Sequence, residues 1–347
     1  MNTRIFFLIA ALLLGHSAFA QTNNQSQALA ERLERFPQAD TNKDGELSLE
    51  EWNVFDTRRQ AEREARQAAK PKPTHANVPY GDHERQVFDI WITPSDEATP
   101  LVIYIHGGGF RSGNKNSING NSLKAFQDAG LSVAAIHYRL SDVGPYPIYM
   151  EDAARCLQTI RHRADEWNIN PEKIACYGGS AGAGISLWLG FHDDLADPSS
   201  ADPIARQSTR IVAAATSNGQ STYDLRHYRK WFNLGDFIIH EAFFPMFEIE
   251  KGSDFWSDKR ILQLMKDSSS ISHLTKDDVP VFMTYGRGNV PVDNDTNPGV
   301  WVHHVLLGLK LQEAMEKLGL ECTVVSPEHP ESRYGSMEAF LIAKLTD

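Results

Sequence analysis

Short apolar runs alternate with amphipathic stretches along most of this 347-residue chain, from about residue 87 onward. Short, continuously apolar runs are typical of parallel strands that are buried on both faces. Strands that alternate with helices predict an α/β fold built on a doubly wound, mostly parallel sheet. The predicted strands are 87–92, 101–105, 131–136, 173–177, 211–215, 279–285 and 321–325, and the predicted helices are 122–129, 150–166, 183–192 and 305–318.

The pentapeptide Gly178-Gly179-Ser180-Ala181-Gly182 lies between a predicted core strand and a predicted helix. A G-x-S-x-G sequence in this position is typical of a sharp strand-to-helix turn that exposes a nucleophilic serine. Small residues surround the serine because the turn leaves no room for bulky ones. We therefore predict that Ser180 is a nucleophile; a helix N-cap after a tight turn is the alternative interpretation.

A second glycine-rich sequence, His106-Gly107-Gly108-Gly109-Phe110, follows the predicted strand 101–105. Consecutive glycines leave backbone N–H groups open to a substrate, because no Cβ blocks the approach. The N–H groups of Gly107, Gly108 and Ala181 are therefore predicted to bind the oxyanion that develops on an ester carbonyl. A nucleotide-binding loop is a poor fit, because the sequence has neither a following Lys-Ser/Thr nor a G-x-G-x-x-G pattern.

Together these sequences resemble the hormone-sensitive-lipase-like branch of the α/β hydrolases and the related feruloyl-esterase-like proteins. The resemblance runs from about Val78 to the C-terminus. It also includes Tyr80-Gly81, Asp89-Ile90-Trp91, His137-Tyr138-Arg139-Leu140 and Asp152-Ala153-Ala154. It implies an α/β-hydrolase fold and an ester-cleaving serine enzyme whose oxyanion hole comes from the HGGG turn.

A serine nucleophile needs a histidine base, and in this fold the base follows both the serine and the acid in the chain. The resemblance places the base after the last strand, where His329 is our first choice. The family's usual Gly-x-x-His-Gly-Phe is absent there. The rival base is one of His303 and His304, which precede the predicted helix 305–318. Each of these histidines could instead be a surface or capping residue.

The acid that orients the base is expected after the strand 279–285, where the family usually has an aspartate just before a Val-Pro. Asn289 occupies that position in this chain. Asp293 is our choice for the acid, and Asp295 is a substitute from the same loop. The alternative is that both are solvated loop carboxylates, and a degenerate triad is then left open.

The segment from Ser221 to about Lys266 has no strand–helix rhythm and is rich in aromatic residues. We interpret it as an insertion that covers the active-site end of the sheet and offers an apolar or aromatic face to a substrate. The alternative is a pair of surface helices that pack through their own aromatic side chains.

Residues 40–51 match the twelve positions of an EF-hand calcium loop, with predicted helices at 27–36 and 49–70 on either side. Gly45 gives the sharp turn at the sixth position, Leu47 is the apolar eighth residue, and Ser48 can reach the ion through water. A single loop predicts weak, structural binding of Ca²⁺; a charged connector between helices is the alternative. The predicted ligands are Asp40, Asn42, Asp44, the carbonyl of Glu46, and Glu51.

Residues 1–20 have the pattern of a signal peptide, with an apolar core at 5–14 and a small-x-small site at its end. We therefore expect a secreted or periplasmic protein; an uncleaved N-terminal anchor is the alternative. Pro71-Lys72-Pro73 marks a linker. The expected domains are thus an EF-hand-like helical segment at 21–73 and a hydrolase domain at 74–347.

The formal net charge of −11 gives the chain no electrostatic footprint for nucleic acid. No later stretch has the length and apolarity of a membrane span. The chain has three cysteines, Cys156, Cys176 and Cys322. This small, odd number does not indicate a disulfide framework, so we expect buried thiols.

These features predict an exported serine carboxylesterase that acts on a small-molecule ester through an acyl-enzyme on Ser180, with no cofactor for catalysis. The doubtful acid and base leave two alternatives, a catalytically degenerate ligand-binding protein and a serine peptidase on the same fold. The sequence does not determine the oligomeric state.

Overall fold

The structure, a computed structural model, describes residues 26, 28–30, 32, 33, 36–68, 70–330 and 332–346. The described residues up to Lys70 form one compact unit, and those from Pro71 onward form a second. The predicted signal peptide at 1–20 lies outside the described residues. Within the described ranges, no helix combines the length and apolarity needed to cross a membrane.

An eight-stranded sheet with the order β1-β2-β4-β3-β5-β6-β7-β8 forms the centre of the second unit. The first two strands pair antiparallel with their neighbours, and all other pairs are parallel. The predicted doubly wound, mostly parallel sheet is therefore confirmed. The strands are β1 His75–Pro79, β2 Val87–Trp91, β3 Thr99–Ile105, β4 Ser132–Ile136, β5 Ile169–Gly179, β6 Ala214–Ser217, β7 Val281–Thr284 and β8 Cys322–Val325.

Helices connect these strands, and five of the ten that are named next begin and end within a few residues of their predicted positions. They are α1 Leu49–Ala68 in the first unit, and then α2 Gly120–Asp128, α3 Ile148–His162, α4 Ala181–Phe191, α5 Leu225–Phe232, α6 Phe243–Phe247, α7 Lys259–Asp267, α8 Pro298–Trp301, α9 Val305–Lys317 and α10 Met337–Thr346.

Both faces of the sheet are buried, which is why its strands are apolar at nearly every position. In β3, Leu101, Ile103 and Ile105 pack into the core under α3, α4 and α9. Val102 points the other way, into the core under α2 and α10. All three cysteines are free and buried, as predicted.

Six of the strands and helices named above were missing from the prediction: the edge strand β1, the four helices α5 to α8, and the C-terminal helix α10. Only Val78 of β1 is buried, so this strand has no apolar run that the sequence could reveal. Helix α10 buries Phe340, Leu341 and Leu345 against the sheet.

The first unit has a small core of its own. Ala39, Leu47 and Phe55 are buried there, and Phe36 and Trp52 pack against them. Helix α1 begins at the predicted residue and ends two residues early. Of the predicted helix 27–36, the described residues at 28–30, 32 and 33 are helical, and Phe36 lies beyond the helix.

A buried ion pair anchors the loop that follows the HGGG sequence. Lys115 Nζ lies 2.7 Å from Asp89 Oδ2, and both side chains are about 5% exposed. The other carboxylate oxygen of Asp89 accepts the backbone N–H of Asn77 at 2.8 Å. Removal of one buried partner leaves the other charge without compensation, which costs far more than the pair itself contributes.

We expect Lys115→Met to lower the free energy of unfolding by about 3–5 kcal/mol, because Asp89 would be left as an unpaired buried charge. The measurement is urea-induced unfolding followed by tryptophan fluorescence. Lys124→Met is the matched control, because the Lys124–Asp128 pair is exposed and its loss should cost about 1 kcal/mol or less. Equal effects of the two substitutions would contradict the prediction.

Candidate functional site

Ser180 lies in the sharp turn between β5 and α4, in a backbone conformation that a non-glycine residue rarely adopts. Its φ is 51° and its ψ is −122°. Strain of this kind costs roughly 1–3 kcal/mol and persists only where the surroundings hold it. Here the Ser180 N–H donates to the carbonyl of Ser217 at 3.0 Å, and its own carbonyl accepts the N–H of Gly184 at 3.1 Å.

The two outer glycines of the pentapeptide are required by one backbone oxygen of β3. A Cβ at Gly178 or at Gly182 would overlap the carbonyl oxygen of Ile105, and neither this oxygen nor the helix can move aside easily. The middle glycine is different, because a Cβ at Gly179 would lie 3.6 Å from its nearest neighbour, the Ser217 carbonyl oxygen. The G-x-S-x-G spacing thus reflects the close approach of β3 to the serine turn.

The HGGG turn brings backbone N–H groups beside Ser180. Gly108 and Gly109 have positive φ values of 120° and 59°, and with Ala181 they line the cavity above the serine. Within the described ranges, none of these three residues donates its backbone N–H to a protein acceptor. Their N–H groups are therefore free to bind an oxyanion.

Gly107, one of the three residues predicted for the oxyanion hole, does not line this cavity. It packs behind the turn, where a Cβ would come within 2.6 Å of the carbonyl oxygen of Gly179. Of the predicted residues, Gly108 and Ala181 line the cavity, and Gly109 lines it beside them.

His106 and Arg85 hold the HGGG turn from below. Burial lowers the pKa of His106 to about 4, so its imidazole is neutral at pH 7. Nδ1–H of His106 donates to the Gly107 carbonyl at 2.8 Å, and Nε2 accepts from Arg85 Nη2 at 3.1 Å. Arg85 also donates to the carbonyls of Gly113 and Tyr138. Sequence reasoning missed Arg85, which no motif marks.

His303 is the histidine that contacts Ser180. Its Nε2 lies 2.8 Å from Ser180 Oγ, and its Nδ1 lies 3.0 Å from the carbonyl oxygen of Gly299. A carbonyl can only accept, so Nδ1 carries the proton and Nε2 accepts from the serine hydroxyl. The short helix α8 produces this arrangement because it places Gly299 one turn before His303.

Burial lowers the pKa of His303 below its ordinary value of 6.5. The hydrogen bond to Gly299 raises the pKa in part, and the positive charge of Arg287 lowers it again. Because the neutral imidazole is the form that accepts a proton, His303 is ready to act as a base at neutral pH.

His329, our first choice for the base, does not contact Ser180. His329 is exposed, and its backbone closes a tight turn with Ser326 directly after β8. This turn keeps it away from the cavity, which His303 lines. His304 is a capping residue, since its Nδ1 accepts the N–H of Leu306 at the start of α9 and its Nε2–H donates to the Val290 carbonyl.

The structure does not bring a carboxylate to the base. Across the described part of the chain, no acidic side chain hydrogen-bonds His303. Asp293, the predicted acid, is exposed, and its Oδ1 accepts the hydroxyl of Thr296 at 2.6 Å within its own loop. Asp295 is exposed in the same loop, and Asn289 donates its backbone N–H to Glu328. The place of the acid is taken by the Gly299 carbonyl.

A cavity of about 480 Å³ lies above Ser180. Its cover comes from the aromatic segment between β6 and β7, as predicted for an insertion over this end of the sheet. Tyr223, Phe243 and Met246 supply apolar surface, and Gln220 and His240 supply polar groups.

The acidic loop of the first unit is closed by hydrogen bonds. Gly45 has a φ of 85°, as the sixth position requires. Glu51 reaches back across the loop, where its Oε1 accepts the N–H of Thr41 at 3.1 Å, and its Oε2 accepts the Ser48 hydroxyl at 2.8 Å. These bonds, led by those from Ser48, lower the pKa of Glu51 to about 2. Asp40 accepts the N–H of Gly45 at 3.0 Å.

The ligand atoms that this loop offers are oxygens, which hard cations such as Ca²⁺ prefer. They come from Asp40, Asn42, Asp44, Glu46 and Glu51, and the glutamate carboxylate is ionised well below pH 7. The carboxylates of Asp40, Asp44 and Glu51 are not gathered within 4.8 Å of one another, because each accepts N–H groups of the loop itself.

Comparisons with known proteins give a family for the second unit. The family model described as BD-FAE matches residues 88–297. The probable carboxylic ester hydrolase LipM of Mycobacterium tuberculosis is 27% identical over 222 residues, which are 62% of this chain and 48% of that protein. An acetyl esterase of Salmonella schwarzengrund is 32% identical over 116 residues, which are 32% of this chain and 35% of that protein. The chain thus spans half or less of these curated relatives.

A solved structure supports the fold. A truncated form of a carbohydrate esterase from gut microbiota superimposes with a TM-score of 0.61 at 18% identity, covering 80% of this chain and 100% of that chain. At this identity the likeness shows the fold alone, and the fold is that of the α/β hydrolases. The family match includes Ser180 and the HGGG turn, but it ends six residues before His303.

The close contact between the Ile105 carbonyl of β3 and the serine turn can be tested by substitution. We expect Gly182→Ala to abolish labelling of Ser180 by a fluorophosphonate probe, because the new Cβ would push the turn away from Ile105 and from its strained conformation. Gly179→Ala is the matched control and should label at a rate close to that of the unmodified chain. Labelling is measured by intact mass. Retained labelling in Gly182→Ala would show that the turn tolerates the contact.

Proposed function

The chain belongs to the BD-FAE family, and we propose that it is a serine carboxylesterase with a Ser180–His303 dyad. The observation that carries the proposal is the 2.8 Å contact between Ser180 Oγ and His303 Nε2, in a tautomer fixed by Gly299. The relatives named as carboxylic ester hydrolase and acetyl esterase support the same class of reaction.

In the proposed mechanism, Ser180 Oγ attacks the carbonyl carbon of the ester while His303 Nε2 takes the hydroxyl proton. His303 then gives this proton to the leaving alcohol, and an acyl-enzyme remains on Ser180. A water molecule, deprotonated in turn by His303, releases the acid and restores the serine.

The oxyanion of each tetrahedral intermediate is bound by the N–H groups of Gly108, Gly109 and Ala181. Donors that are already oriented and free of other partners lose nothing when the charge develops, so they favour the transition state over the ground state. The backbone hydrogen bonds that hold the strained Ser180, together with the buried, neutral His106, keep this arrangement in place before the substrate arrives.

A carbonyl in place of a carboxylate changes one part of the usual mechanism. Gly299 fixes the tautomer and the orientation of His303, which are two of the roles of the acid in a triad. It stabilises the imidazolium less than a full negative charge would. We therefore propose a working dyad with a weaker base than that of a complete triad.

The cavity suggests the size and character of the ester. A volume of about 480 Å³ suits a small molecule, and the apolar surface of Tyr223, Phe243 and Met246 suits an acyl or alcohol group with little charge.

We expect His303→Ala to lower kcat/KM for a short p-nitrophenyl ester by at least about a thousandfold, because Ser180 loses its proton acceptor. His329→Ala is the matched control and should stay within about twofold of the unmodified chain, since this side chain is exposed and lies outside the cavity. The measurement is steady-state kinetics at neutral pH. A larger loss in His329→Ala than in His303→Ala would return the base to the loop after β8.

Ser180→Ala separates the proposed function from its alternatives. It should abolish ester hydrolysis in a protein that still folds. If the unmodified chain neither hydrolyses esters nor reacts with a fluorophosphonate probe, the missing carboxylate marks a degenerate, ligand-binding member of the fold. If it cleaves peptides faster than esters, the peptidase alternative holds.

We also propose that the loop at 40–51 binds Ca²⁺ weakly as a structural ion, with Asp40, Asn42, Asp44, the Glu46 carbonyl and Glu51 as ligands. Calcium would supply a common centre for oxygens that otherwise accept hydrogen bonds from the loop. The signal-peptide pattern at 1–20 supports a secreted or periplasmic location, where free calcium is abundant enough for weak sites.

We expect calorimetric titration of the full chain with CaCl₂ to show one site with a Kd of about 10⁻⁴–10⁻³ M. Glu51→Gln should remove the binding heat, because the twelfth residue provides two ligand oxygens. Glu50→Gln, one residue away on the exposed side of α1, is the control and should bind like the unmodified chain. No calcium-dependent heat in the unmodified chain would disprove the site.

A further inference from the structure

A cluster of metal-ligating side chains lies at the end of α4 that is remote from Ser180. His192 caps this helix, Asp267 is the last residue of α7, and His273 follows the next turn of the chain. Each residue offers one ligand atom, and the three atoms lie within 4.8 Å of one another. The proposed reaction uses none of them.

Each imidazole of the cluster already has one nitrogen committed as a donor. Nδ1 of His192 lies 3.0 Å from the carbonyl oxygen of Asp193, and Nε2 of His273 lies 2.6 Å from the carbonyl oxygen of Asp267. Because carbonyls only accept, these nitrogens carry the protons. In the neutral ring of His192, the other nitrogen then has a free lone pair, which is the form that binds a metal. In His273, Nε2 is the nitrogen that lies 4.0 Å from Asp267 Oδ1, so it must give up its proton and its bond to the Asp267 carbonyl before it binds a metal.

A hydrogen bond also orients the carboxylate of Asp267. Its Oδ2 accepts the hydroxyl of Tyr146 at 2.7 Å, and its Oδ1 lies 4.0 Å from His273 Nε2. His192 is also fixed in place, because its ring stacks on Trp188 with centroids 4.0 Å apart. Outer partners of this kind orient metal ligands and strengthen binding.

We infer that His192, Asp267 and His273 form a binding site for a divalent transition metal, with Zn²⁺ as the ion that best matches the ligands. Two imidazoles and one carboxylate are ligands typical of Zn²⁺, with water in the fourth position. Ca²⁺ and Mg²⁺ prefer oxygen ligands and fit this set poorly.

The three side chains need only small movements to close on an ion. Ligand atoms about 2.1 Å from a tetrahedral metal are roughly 3.4 Å apart, so spacings of up to 4.8 Å must shrink by as much as roughly 1.4 Å. All three residues are partly exposed, which leaves room for these rotations and for a bound water.

A metal at this position would join the aromatic segment to the helix that begins at the nucleophile. Asp267 and His273 lie directly after the segment, before β7, and His192 caps α4. Because the metal binds the folded chain and not the unfolded one, it raises the stability of the folded state. The role of the site is therefore to hold the cover of the cavity against the catalytic helix.

The test is calorimetric titration of the full chain with ZnCl₂ after treatment with a chelator, in millimolar CaCl₂ so that the acidic loop does not compete. We expect one zinc site and a higher midpoint of thermal unfolding. His192→Ala and His273→Ala should each weaken zinc binding by at least about tenfold. His162→Ala, which removes an exposed histidine at the end of α3, is the matched control and should bind like the unmodified chain.

Cobalt gives an independent readout of the ligand set. Co²⁺ bound by two imidazoles and a carboxylate absorbs visible light, and this absorption should be lost in both histidine variants and kept in the control. Zinc binding that is unchanged in His192→Ala and His273→Ala, or no binding in the unmodified chain, would overturn the inference. The three side chains would then form an ordinary hydrogen-bonded cluster.

Discussion

The carbonyl oxygen of Ile105 is the point around which the site is built. It lies at the end of β3, so close to the serine turn that only glycine fits at positions 178 and 182. This approach forces Ser180 into its strained conformation, because the chain must pass from β5 to α4 without side chains against β3. The same strand leads directly into the HGGG turn, so Ser180 and the backbone N–H groups of that turn are positioned by one contact.

In the proposed dyad, a backbone carbonyl contacts His303 at the place where a complete triad has a carboxylate. The tautomer and the orientation of the imidazole determine whether it can accept the serine proton. A counter-charge matters afterwards, when the imidazolium has formed. The Gly299 carbonyl, which lies in the short helix α8 one turn before His303, provides the tautomer and the direction. Burial keeps the pKa of His303 low, so a neutral acceptor is present without a carboxylate. What the chain loses is part of the stabilisation of the charged intermediate.

The sheet and the serine turn were predictable from the sequence because their constraints are local. Parallel strands buried on both faces must be apolar, and a turn pressed against a backbone oxygen must be glycine-rich. The base was not predictable, because the choice between His303 and His329 depends on where two loops lie in space. Arg85 and the edge strand β1 were missed for the same reason, since neither has a pattern along the chain.

The assignment of His303 as the base is tested most directly by the pH dependence of the rate at which a fluorophosphonate probe labels Ser180. The dyad predicts that labelling falls in acid with a midpoint below the ordinary histidine value of 6.5, and that this acid limb disappears in His303→Ala, where only slow labelling is left. An acid limb that is unchanged in His303→Ala, or a midpoint well above that value, would contradict the assignment of His303 as the base.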